Sequence, residues 1–151
     1  MDFDDDYPSC KETYVTFRAF SKTLIADEIS NVIKLKPTEC FSRGDLFGKS
    51  NHVRTQTGWL LSSRNMVTSL DSRRHIAWII ERLKEQAVAL DFLRGQGVEM
   101  DICCYYLSEG QGGPTMSFEH MKELGALCLD IWWDIYQYIP GDLTSSCSIE
   151  I

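Results

Sequence analysis

The chain has 151 residues, 44% hydrophobic and 25% charged, which is the balance of an ordinary globular domain. That length suits one domain able to bury roughly 70% of its unfolded surface, so a core needs neither disulfides nor metal. The net charge of -7, with Arg73-Arg74 as the only adjacent arginines and Lys34/Lys36 as the only close pair of lysines, argues against the basic stripe that nucleic-acid binding requires.

Residues 1–12 are acidic and polar and are expected to form a flexible N-terminus. Thr13 to Phe20 (TYVTFRAF) alternates as a strand, with Val15, Phe17 and Ala19 on one face and Tyr14, Thr16 and Arg18 on the other. Ala26 to Ile33 has a helical stripe of Ile29, Val32 and Ile33, and Pro37 closes that unit. A polar connection from Thr38 to Gln56 exceeds the length of a passive loop. Thr57 to Ser63 (TGWLLSS) predicts a second strand.

The strongest pattern runs from Ser72 to Arg94, where Ile76, Ile79, Ile80, Leu83, Ala87 and Leu90 recur at helical spacing. Asp71 or Ser69 can cap its start, and Gly95 and Gly97 end it. Trp78 and Phe92 lie off the stripe, against other structure or a partner. Val98 to Leu107 (VEMDICCYYL) predicts a third strand, Ser117 to Leu127 a helix, and Leu129 to Tyr138 (LDIWWDIYQY) a fourth strand.

The expected fold is therefore α+β, a single domain over residues 13–139 followed by a tail over 140–151. Its order is β-α-β-α-β-α-β. A mixed or mostly antiparallel sheet of about four strands is packed by one long central helix and two shorter ones.

Six cysteines stand at 10, 40, 103, 104, 128 and 147. The opening MDFDDD lacks the positive and apolar regions of a signal peptide, and no apolar run reaches the ~20 residues of a membrane span. A cytosolic location and free thiols are expected. Alternation sends vicinal Cys103 and Cys104 to opposite faces.

The same alternation composes a candidate surface. Asp101, Cys103 and Tyr105 share one side of the third strand; Asp130, Trp132, Asp134, Tyr136 and Tyr138 share one side of the fourth. With helices on one side of the sheet only, the other side carries acids interleaved with aromatic rings, the residues that concentrate binding energy at interfaces.

Catalytic readings are weaker. Asp130 and Asp134 lie about 13 Å apart along a strand, too far to share a proton. His52, His75 and His120 match no metal-ligand spacing, and Gly48-Lys49-Ser50 has Arg43 where a P-loop needs its first glycine. No enzyme activity, catalytic residue, metal or cofactor is expected.

As an ordered set, TYVTFRAF, Leu35-Lys36-Pro37-Thr38, Arg43-Gly44-Asp45, Gly58-Trp59, the long helix and LDIWWDIY resemble the bacterial domain-of-unknown-function family 4279 over about residues 13–138. The resemblance transfers no catalytic residue. Small acidic members of such families resemble immunity proteins of toxin–immunity and contact-dependent growth inhibition systems. It implies a protein that binds a cognate toxin, a basic nuclease for example, and occludes its active or substrate-binding surface. Asp101, Tyr105, Asp130, Trp132, Asp134 and Tyr136 are the expected contacts, with acids steering a basic protein partner. Direct binding to nucleic acid or membrane is not expected. Two rival readings are an interaction or oligomeric scaffold module and a small-molecule binder or enzyme using Asp101 and Asp130.

Overall fold

Alternating apolar residues in CKETYVTFRAFS build β1 (Cys10–Ser21), the central strand of the sheet in the computed structural model, which describes residues 1–141. Its helix-facing side chains Val15, Phe17 and Ala19 are wholly buried. On one edge β1 pairs antiparallel with β3 (Thr57–Ser62), and on the other with β4 (Glu99–Ser108). A three-residue β2 (Glu39–Phe41) pairs antiparallel with β3 at one border, and β5 (Ile131–Gln137) runs parallel to β4 at the other. The strand order is β2-β3-β1-β4-β5.

The parallel pair follows from its connection. Antiparallel neighbours can be joined by a tight turn, whereas a parallel neighbour needs a crossover, here supplied by α4 (Phe118–Ala126). Ser117 caps that helix by accepting the His120 N–H at 3.4 Å.

Helices cover one face. Ile29 and Ile33 of α1 (Ala26–Ile33), Ile76, Ile79, Ile80 and Leu83 of α2 (Ser72–Leu83), Leu90 and Leu93 of α3 (Ala87–Gly95) and Leu124 of α4 all enter one core with Phe17, Trp59, Leu61 and Ile102. The Trp59 indole packs edge-on to Phe17 and donates its N–H to Ser30 Oγ at 2.9 Å, so this large ring is buried with its polar atom satisfied. Among the described residues no helix is long and apolar enough to cross a membrane.

Three expectations change. The sheet has five strands, because β2 arises inside the predicted 38–56 connection. The order becomes β-α-β-β-α-α-β-α-β, since the helix predicted over 72–94 is broken by a 3₁₀ turn at Lys84–Gln86. Three residues at 120° rather than 100° rotate α3 by roughly 60° relative to α2, and this brings Leu93 round to the core while Leu90 stays on it. In one straight helix Leu93 would point well off the Ile76–Leu83 stripe.

Residues of the N-terminal segment make contacts with the domain. Residues 10–12 open β1, the Asp4 N–H donates to Asp71 Oδ2 at 2.9 Å, and the Leu70 N–H donates to Asp5 O at 2.9 Å. Asp71, 1% exposed, also caps α2 through the Arg73 N–H. Burial favours its neutral form, yet the bonds from Arg73 and from the Asp4 N–H outweigh it and hold the carboxyl below its ordinary value. Of the predicted tail over 140–151, residues 142–151 lie outside the described residues.

Candidate functional site

Strand alternation carries Tyr14, Thr16 and Arg18 of β1, with Asp101, Cys103, Tyr105 and Leu107 of β4, to the face opposite the helices. In-register partners project to the same side of a sheet. Cys103 is paired with Trp132, Tyr105 with Asp134 and Leu107 with Tyr136, so those three β5 residues join this open face. Five of the six predicted contact residues are thereby brought onto one surface. Asp130 precedes β5 and is exposed; its carbonyl accepts the Ile102 N–H at 2.9 Å, and it borders a hollow lined by Met116, Met121 and Leu124.

The six are not equivalent. Asp101 lies directly across from Arg18, and its two oxygens accept from Arg18 Nε and Nη2 at 2.8 Å each. The bond to Asp101 raises the Arg18 pKa despite burial, so the guanidinium stays charged. Tyr105 is 4% exposed, stacked on Tyr14 with ring centroids 4.8 Å apart and tilted against Tyr136 at 5.5 Å. It is the middle of an aromatic row that runs from Tyr14 to Tyr136. Trp132 is 63% exposed, in an open position and outside any second core layer. Asp134 accepts a hydrogen bond from the Tyr136 hydroxyl at 3.2 Å.

β5 adds residues that alternation assigns to the core. Trp133 and Ile135 share the helix-facing side, yet they are 38% and 53% exposed, because the packed core ends at Ile131. Ile139 beyond the strand is exposed as well. Their exposure follows from the position of β5 at the border of the sheet, which no local pattern encodes. Among the described residues no strand pairs with its outer edge. From Glu123 to the C-terminus the sequence holds no Lys, Arg or His, so the formal charges along β5 are acidic.

Among the described residues no three His, Cys, Asp or Glu side chains converge as metal ligands would. The sheet, its single layer of helices and its exposed aromatic border define an α+β domain with one open face and one exposed edge. The chain belongs to the family described as domain of unknown function (DUF4279), which it matches over residues 11–138. No curated protein and no solved structure matches it significantly.

Proposed function

We propose that this chain is a non-catalytic protein-binding domain that docks a basic partner along β5 and the adjoining open face. One observation carries the reading. A border strand with an unpaired outer edge among the described residues exposes Trp132, Trp133, Ile135 and Tyr136 in a stretch whose charges are all acidic. Soluble proteins blunt such edges with lysine, proline or short length. A long apolar one marks an interaction site, and a partner can add a strand to it.

The partner class follows from charge. Acids beside aromatic anchors favour a cationic surface, with the acids accelerating association and the rings slowing dissociation. The biological form of this proposal is an immunity protein that occludes a toxin such as a basic nuclease. Size, the charge of -7 and the composition of the edge support it.

The test is capture from the native organism with wild type, Ile135→Lys and Val88→Ala, the last at an 85% exposed position on α3. A basic protein should be retained by wild type and Val88→Ala and lost by Ile135→Lys. Expressed alone, that protein should arrest growth, and co-expression of the chain should relieve the arrest. Equal capture by Ile135→Lys would place the interface elsewhere.

A further inference from the structure

The other half of the open face is built differently. After β2 the chain folds back through the Leu46–Val53 bridge, and the Arg54 guanidinium lies 3.9 Å from the ring centres of both Phe41 and Phe47. This clamp holds the segment as a wall beside the sheet. The Phe41 ring rests on Gly58, its partner across β2 and β3, where an added Cβ would stand 2.7 Å from Phe41 Cε1. Only a residue without a side chain lets the ring lie so low.

Between wall and sheet is a cavity of about 520 Å³, within the range of roughly 300–1,000 Å³ typical of small-molecule sites. Its floor carries the Thr16 and Ser62 hydroxyls, bonded to each other at 3.0 Å. Arg18 and Arg64 also line it, and the Arg64 guanidinium lies 4.8 Å from the Tyr14 ring centre. The carboxylates that hold these two arginines, Asp101 and Glu12, are outside the lining, where Glu39 is the single acid. An acidic chain thus turns three of its eight arginines into one hollow, with flat apolar surfaces between them.

We propose that this cavity binds a small organic anion, a carboxylate or phosphate monoester carried on a planar apolar body. Arg18 spends Nε and Nη2 on Asp101, which fixes the plane of its guanidinium and leaves Nη1 to donate. Arg64 supplies further donors, and so does the Ser62 hydroxyl, which accepts from Thr16 and keeps its own proton. Guanidinium groups suit planar and tetrahedral oxyanions through their fork geometry. The apolar body would lie against Phe41, Leu60 and Tyr14, with the wall excluding water from one side.

The probes are phenyl phosphate, benzoate, inorganic phosphate and benzyl alcohol, titrated into the full chain and followed by NMR of backbone amides and arginine side chains. Phenyl phosphate and benzoate separate the two anion types. At least one should give saturable shifts confined to Arg18, Arg64, Phe41 and Cys103. Inorganic phosphate and benzyl alcohol, each lacking one half of the chemistry, should bind about tenfold or more weakly. Arg64→Gln, at a half-exposed position, and Phe41→Ala should each weaken the best probe by a similar factor, whereas Trp132→Ala should not alter it. Melting curves confirm that each variant is folded. No saturable shift with either aromatic anion up to concentrations on the order of 10 mM, or binding indifferent to Arg64→Gln, would overturn the proposal and leave the edge-strand interface untouched.

Discussion

Arg18 and Asp101 face each other across the centre of the sheet, 83 residues apart in sequence, joined by two parallel hydrogen bonds of 2.8 Å. The pair makes Asp101 part of the sheet's own structure, unlike the exposed Asp130. Each side chain is between a fifth and a quarter exposed, so solvent screens the pair only in part. Asp101→Ala should cost about 1–2 kcal/mol of folding stability. A double-mutant cycle with Arg18→Ala should show coupling on the order of 1 kcal/mol. Additive single-mutant effects in denaturant melts would reduce the pair to a surface contact.

Trp132 should behave in the opposite way. At 63% exposure its truncation to Ala should change folding stability by no more than about 0.5 kcal/mol, yet cost about 2 kcal/mol or more in partner binding, expressed as faster dissociation. Reversing Asp130 and Asp134 to Lys should instead slow association and flatten its salt dependence. Surface plasmon resonance at several ionic strengths separates the two effects. Wild-type kinetics in both variants would move the interface away from β5.

The rotated helix pair makes a stability prediction. Leu83 and Leu93 are both wholly buried although a 3₁₀ turn lies between them, while Val88 is 85% exposed. Leu83→Ala and Leu93→Ala should each destabilise by ~2–5 kcal/mol, and Val88→Ala by less than about 0.5 kcal/mol. A neutral Leu93→Ala in chemical denaturation would mean that the helix runs on straight.

His75 predicts the pH dependence. Its Nε2–H donates to Ser69 O at 3.0 Å, and its Nδ1 accepts from the Ser63 hydroxyl at 2.7 Å. Ser63 Oγ in turn accepts the Val15 N–H at 2.9 Å, so the neutral imidazole ties α2 to β1 and β3. Burial holds its pKa below the ordinary 6.5, and His120 is lowered for the same reason. Below pH 6.5 the unfolded chain therefore takes up protons that the folded chain refuses, and stability must fall as pH falls. His75→Gln should be less stable at pH 7.5 by about 1–3 kcal/mol, with a shallower decline under acid. An unchanged slope between wild type and variant would assign the pH dependence to other groups.

The thiols should divide by burial. Cys40 and Cys128 are exposed; Cys10, Cys103 and Cys104 are buried, and all five are free. Burial pushes Cys10 up to about 11 and Cys104 up to about 12, which suppresses the reactive thiolate. Under native conditions a maleimide should label Cys40 and Cys128 quickly and the other three only on unfolding. Mass spectrometry reads the positions. Fast labelling of Cys104 would show that the core opens far more readily than its packing implies.

Which residues share a face was legible from the sequence, because side-chain direction along a strand depends only on local backbone geometry. Two-residue alternation in TYVTFRAF, VEMDICCYYL and LDIWWDIYQY separates Val15, Phe17 and Ile102 from Tyr14, Arg18, Tyr105 and Trp132, and in the folded chain these groups do lie on opposite sides of the sheet. Exposure was not legible in the same way. Tyr105 and Tyr136 belong to one face, yet the first is covered and the second open, because Tyr14 and Tyr136 flank Tyr105 from strands far apart in sequence. Trp133 and Ile135 keep the spacing of core residues and remain exposed, because β5 has a neighbour on one side only. The arginine-lined cavity also needed the fold, since β2 is too short to leave a periodic signal and gains its place only by pairing with β3. Periodicity is a property of a segment, whereas strand order, edge position and burial are set by contacts between segments, and these only the tertiary structure decides.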